Sequence, residues 1–218
     1  MKLLLTSSGI TNKSIANALF DLVGKKPEDT SLVFIPTAAN VETEDKGWLI
    51  DDLAHVKNQN FKSVFITDIA TVPESIWKPQ MEAADVLLFG GGNTYYLMEW
   101  INKSGLLKIL PEFLKAKVYM GISAGSMVTN PDLDIRLDKM IYEDDVEGET
   151  MVGLNFVDFY FLPHLNSPHF SNRMEENIRK AGEKYTRKMY ALDDQSALKV
   201  VNGRIEVVSE GKWFVINE

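Results

Sequence analysis

Cysteine is absent from the 218 residues. That excludes disulfides, thiolate metal sites and any cysteine nucleophile, and it fits a reducing compartment. Long apolar runs are missing too. The opening Met1-Lys2-Leu3-Leu4-Leu5-Thr6 holds only three leucines, short of a signal peptide's apolar segment. No stretch approaches the roughly 20 apolar residues of a membrane span. Positive charge is scarce: 23 Lys and Arg face 31 Asp and Glu, a formal net charge of −8. A negative field repels phosphate backbones and anionic lipid, which argues against a nucleic-acid or membrane partner. These absences lead us to expect a cytoplasmic protein. Internal repeats and low-complexity linkers are also lacking, so residues 1–218 are read as one domain. At this length a chain buries about 70% of its unfolded surface and needs no metal or disulfide to fold.

Short apolar runs alternate with amphipathic stretches. Lys2–Thr6, Ser31–Pro36, Ser63–Ile66, Val86–Phe89 and Val118–Ile122 read as buried strands. Between them Ile15, Ala18, Leu19, Leu22 and Val23 recur at helical spacing. So do Trp48, Leu49, Asp52, Leu53 and Val56, with one polar exception. Strands apolar on both faces belong to a parallel sheet covered on both sides, so the expected fold is a three-layer α/β/α sandwich. The last third differs. Arg173–Tyr185 reads as a helix with Met174, Ile178 and Ala181 on one face. Ala197–Val201, Arg204–Val208 and Trp213–Ile216 read as an antiparallel meander, joined at Asn202-Gly203 and Glu210-Gly211. An acidic segment containing Asp132, Asp134, Asp138, Glu143, Asp144, Asp145, Glu147 and Glu149 reads as a solvated loop, or as a loop beside an active site. It has no EF-hand spacing, so calcium is set aside.

Four groups of residues can do chemistry. Gly121-Ile122-Ser123-Ala124-Gly125 follows a buried strand and precedes a helical start, the pattern of a nucleophile elbow. The bland alternative is a small-residue turn that packs a helix on a sheet. Gly90-Gly91-Gly92-Asn93-Thr94 follows another strand. Its glycines permit positive φ and free amides, and Asn93 or Thr94 can cap the next helix. It lacks the lysine of a phosphate-binding P-loop. Only His55, His164 and His169 can serve as general base. His55 falls inside a helical pattern, whereas His164 and His169 each follow a proline in a loop after an apolar run. The spacing of this pair gives no strong metal signature, and no metal or cofactor is expected. The orienting acid is Asp194, in Asp193-Asp194 after Tyr190–Leu192, or Asp138; composition cannot choose.

Taken together, Gly90–Thr94, Gly121–Ser126 and Pro163-His164 resemble the dipeptidase E family of serine peptidases, with its cyanophycinase-like relatives, over practically the whole chain. The resemblance implies a sandwich like that of class I glutamine amidotransferases, with serine in place of the cysteine nucleophile. It implies Ser123 as nucleophile and His164 as base, with Gly91 or Gly92 and Ala124 forming the oxyanion hole. Asp194 falls where the family carries an acid, Glu in dipeptidase E itself, and Asp138 falls on a second acid associated with activity. The implied substrate is a short peptide, and the resemblance is compatible with a homodimer. The family's preference for an N-terminal aspartate rests on basic residues after the histidine. Here that stretch is shortened: Arg173 is its only arginine, and Met174 or Glu176 stands where the family's arginine does. Asn93, His169 and Arg173 are the candidate substrate contacts. Two other readings compete: an α/β-hydrolase esterase, and a catalytically silent relative that binds a small acidic ligand because an aspartate at 194 leaves the imidazole unsupported.

Overall fold

The fold is that of a computed structural model describing residues 1–141 and 149–217. The order is β1 (Lys2–Thr6), α1 (Lys13–Val23), β2 (Ser31–Ile35), α2 (Gly47–Lys57), β3 (Ser63–Ile66), α3 (Glu74–Ala83), β4 (Val86–Phe89), α4 (Thr94–Lys103), α5 (Leu106–Phe113), β5 (Val118–Ile122) and α6 (Ala124–Met127). It continues with β6 (Asp132–Leu133), α7 (Ile135–Ile141), β7 (Met151–Val152), β8 (Tyr160–Leu162), α8 (Glu175–Gly182), β9 (Met189–Leu192), β10 (Ser196–Val201), β11 (Arg204–Ser209) and β12 (Trp213–Ile216). Among the described residues no helix is long and apolar enough to cross a membrane.

Seven strands form the main sheet in the order β11-β10-β1-β5-β4-β2-β3. The five from β1 to β3 run parallel and β10 and β11 antiparallel. Side chains alternate across it because successive residues of a strand point to opposite faces. Leu4, Phe34, Leu88 and Met120 pack with Ile15 and Leu19 of α1 and Val56 of α2. Leu5, Val33, Phe89 and Tyr119 pack on the other face with Trp77, Leu97, Leu110 and Ile178. This is the expected three-layer α/β arrangement.

Several expectations need correction. Ser63–Ile66 is a strand, but it is the sheet's edge; among the described residues no further strand pairs with it, and Val64 and Ile66 are exposed. Arg173–Tyr185 is helical only over Glu175–Gly182, and Met174 precedes the helix and is exposed. The acidic segment is not a plain solvated loop where it is described. Asp134 and Asp138 are buried, because Ile135, Leu137 and Ile141 anchor α7 in the core. Glu143, Asp144, Asp145 and Glu147 lie outside the described residues.

The C-terminal strands are antiparallel but divide between two sheets. Asn202 and Gly203 both take positive φ, 50° and 82°, and close the β10–β11 hairpin. β12 pairs instead with β9, which lies parallel to β8 in a three-stranded sheet. Asp193 causes the departure. Its carboxylate accepts the Lys212 amide at 2.5 Å and the Ser196 hydroxyl at 2.6 Å, and its own amide donates to the Lys212 carbonyl. This second sheet positions two of the candidate residues.

α2 buries one carboxyl against the apolar layer. Asp52 is 7% exposed; burial first, then the charge of Asp51, pushes it from its ordinary 3.8 up to about 7. The folded state therefore binds this proton more tightly than the unfolded chain. The associated stability is full below about pH 4 and is lost as pH rises through 7, on the order of 4 kcal/mol in all. Asp52→Asn cannot ionise, so at pH 8 it should melt several degrees above the parent, the gap closing toward pH 4. Calorimetric scans at both pH values check this, and a gap independent of pH would refute it.

Candidate active site

Parallel pairing brings three loops to one level. Thr6 of β1 lies beside Ile122 of β5, and Phe89 of β4 beside Gly121. The residues that follow, Ser7-Ser8-Gly9, Ser123 and Gly90-Gly91-Gly92, therefore emerge together at the C-terminal edge, the usual place for a site in such sheets. Ser123 takes φ 47° and ψ −108°, a strained conformation for a residue with a side chain. Its neighbours make room for the turn: a Cβ at Gly121 would meet the Ser126 amide, and one at Gly125 the Phe89 carbonyl. The Ser126 hydroxyl locks the elbow by accepting the Thr6 amide and donating to the Thr6 carbonyl, both at 2.9 Å.

His164 and Asp194 come from the smaller sheet. Leu162 of β8 pairs beside Ala191 of β9, and the Leu165 amide donates to the Leu192 carbonyl. The segments leaving the two strands therefore stay adjacent. Ser7 ties this sheet to the main one: its hydroxyl donates to the Leu192 carbonyl at 2.9 Å and accepts the His164 amide at 3.0 Å. The outcome is a chain of three side chains. Ser123 Oγ lies 2.9 Å from His164 Nε2, and His164 Nδ1 lies 2.7 Å from Asp194 Oδ1. Burial raises the Asp194 carboxyl, but hydrogen bonding to His164, the His164 charge, the Ser8 hydroxyl and the charge of His169 together hold it below its ordinary value. An ionised acid on Nδ1 fixes the tautomer that leaves Nε2 free to accept a proton from Ser123.

Gly91 lies against the serine: a Cβ there would stand 3.5 Å from Ser123 Cβ. Among the described residues no backbone acceptor takes the amides of Gly91 or Ala124. Gly92 has φ 120° and packs on the Ala38 backbone, which leaves no room for a side chain. Asn93 caps α4, its side chain accepting the Tyr96 amide at 2.9 Å. It also lines a cleft of about 380 Å³ with Val41, Tyr95, Tyr96, Glu99 and Met151.

The other candidates lie elsewhere. Asp138 accepts the Tyr95 hydroxyl at 2.6 Å, whereas the His164 ring nitrogens face Asp194 and Ser123. Arg173 is fully buried, and its Nη1 donates to the carbonyl of Pro163, the residue before His164, at 2.7 Å. Its charge is felt by Asp138 and Asp194, so it braces the histidine loop from within rather than facing outward. His169 is exposed beside the site. Sequence reasoning missed Ser7, Ser8 and Phe170. The Phe170 ring stacks on His164 with centroids 4.7 Å apart. A serine pair at the end of the first strand was the only available signal for the hydroxyls.

The model of Peptidase family S51 matches residues 3–208. The chain belongs to peptidase family S51. It is 28% identical over 219 residues to Peptidase E of Salmonella typhimurium, covering 99% of this chain and 86% of that protein. It is 26% identical over 180 residues to an uncharacterized peptidase of Pasteurella multocida, covering 80% and 83%. Its fold is similar to the solved structure of a candidate peptidase E protein from Listeria monocytogenes, with a TM-score of 0.78 and 25% identity over 96% of this chain and 98% of that one. As an S51 member the chain is a serine-type peptidase.

Two substitutions separate the acids. Asp194→Asn should lower kcat by about three to four powers of ten, because the amide no longer favours the required tautomer. Asp138→Asn removes the charge that faces buried Arg173; it should cost melting temperature and reduce kcat less than tenfold. Steady-state kinetics with thermal melts decide, and equal losses of kcat would defeat the distinction. Ser7→Ala leaves the Leu192 carbonyl and His164 amide without their hydroxyl. It should destabilise by about 1–3 kcal/mol, measured by urea unfolding.

Proposed function

We propose that the protein hydrolyses short peptides through an acyl-enzyme, with Ser123 as nucleophile, His164 as general base and acid, and Asp194 as the acid that orients it. The observation carrying this reading is the continuous Ser123–His164–Asp194 contact, 2.9 Å and 2.7 Å long. Ser123 Oγ attacks the carbonyl carbon while its proton passes to His164 Nε2. The amides of Gly91 and Ala124 receive the oxyanion; one such donor typically contributes about 3 kcal/mol to transition-state stabilisation. His164 then gives its proton to the leaving amine as the C–N bond breaks. Water, deprotonated by the same nitrogen, attacks the ester carbonyl, and Ser123 recovers its proton from His164 as the acid product leaves. Asp138 supports the site indirectly, through Arg173 and the histidine loop.

The silent-relative reading loses its motive here, since the shorter aspartate already reaches Nδ1 at hydrogen-bond distance. The esterase reading fares no better: a member of family S51 has its own peptidase chemistry to account for the elbow. The aspartyl preference implied by the resemblance lacks its cation. Arg173, the one arginine of residues 166–176, is fully buried against the Pro163 carbonyl, and a site built for a carboxylate loses selectivity steeply without its bidentate partner. We therefore propose a short-peptide peptidase without acidic selectivity.

Mass spectrometry of a di- to tetrapeptide library, digested beside Ser123→Ala, tests the reading. Cleavage should vanish in the variant, and aspartate should not be enriched before the cut bond. Cleavage that survives in Ser123→Ala would overturn the mechanism, and a dominant Asp-X product would overturn the specificity.

A further inference from the structure

The buried carboxyl of Asp52 has no role in the catalytic chain, yet its surroundings lead to it. Asp52 and Trp48 lie four residues apart on α2, so they share one helix face. Trp48 Cζ3 is 3.7 Å from the point where a Gly91 Cβ would stand, the same point that lies 3.5 Å from Ser123 Cβ. One turn on, Asp52 Oδ1 is 3.5 Å from the corresponding point at Gly9, where Ile122 Cδ1 also sits. Both residues against Asp52 are chain neighbours of the reacting set: Ile122 precedes Ser123, and Gly9 follows Ser8, whose hydroxyl bonds Asp194.

A carboxyl 93% removed from solvent by its 7% exposure ordinarily carries hydrogen-bond donors or a cation. Asp134, comparably buried, takes the Arg136 amide and guanidinium. Among the described residues no donor reaches Asp52, and the influences on it are burial and the like charge of Asp51. The folded chain thus holds a buried carboxyl without a donor, packed near the residue before Ser123 and the residue after Ser8.

We propose that Asp52 is a specificity residue that receives an alkylammonium group of the peptide substrate, with Trp48 as the apolar wall along its stem. This rests on the peptidase reading of the same site. An ammonium brings three donors and a full charge, and it restores to Asp52 what burial removes. In a peptide that group has two sources, the free N-terminus and a lysine side chain.

The test uses four peptides of one sequence: N-terminus free or acetylated, and lysine or norleucine before the scissile bond. Their kcat/KM values are measured with the parent and Asp52→Asn, and their binding by calorimetry in Ser123→Ala and in the Ser123→Ala, Asp52→Asn pair. The parent should favour one ammonium source by tenfold or more over its neutral counterpart, and that ratio should fall to within about threefold in Asp52→Asn. Asp52→Ser replaces the Asn variant if the latter does not fold. An unchanged ratio, or a uniform loss on all four peptides, overturns the proposal; the second would mark Asp52 as merely structural. Absent turnover with Asp52-dependent ammonium binding in the Ser123→Ala background would sustain the proposal and remove the catalytic reading. Absent turnover with no such binding removes both.

Discussion

One hydroxyl joins the two sheets on which the site is built. Ser7, the first residue beyond β1, accepts the His164 amide and donates to the Leu192 carbonyl. Ser123 belongs to the large sheet, His164 and Asp194 to the small one, and neither sheet alone brings the three side chains together. A displacement of 1 Å between them would break the 2.9 Å contact from Ser123 to His164, and misplacement on that scale costs catalysis about a hundredfold. The contact is part-buried, and its geometry sets the relation between the sheets.

Strain and packing work together around this joint. Ser123 holds a positive φ that a side-chain-bearing residue adopts only when its surroundings insist. Here the insistence comes from the Ser126 hydroxyl gripping both the amide and the carbonyl of Thr6. His164 also has positive φ, 65°, and is held by its amide, by Asp194 and by the stacked ring of Phe170. The imidazole side is enclosed, with 12% side-chain exposure, whereas Asp194 keeps 36%.

Charge is distributed in an order that bears on selectivity. Arg173, near His164, turns inward, where it answers Asp138 and Asp194 and braces the Pro163 carbonyl. Asp52, packed near Ile122, the residue before Ser123, is a buried carboxyl that no donor reaches among the described residues. On the proposed reading, a site whose arginine is held inside and whose Asp52 has no donor favours cationic over anionic groups on simple Coulomb grounds.

Local sequence determined the parts whose signal is local. The five parallel strands, the elbow at Ser123, the Asn202-Gly203 turn and the cap at Asn93 follow from short-range sterics and hydrogen bonding, and each stands where its residues imply. The choice between Asp138 and Asp194 was open in the sequence, because it depends on β8 lying beside β9, a pairing that bridges nearly thirty residues. Tertiary structure alone decided that Arg173 is buried, that Phe170 stacks on the His164 ring and that Asp52 lies near Ile122, next to Ser123 in the chain. It also sent β12 away from the expected meander, through the grip of Asp193 on Lys212. Periodicity reports which face of an element is apolar; which other element meets that face is fixed only when the whole chain competes for the same buried surface.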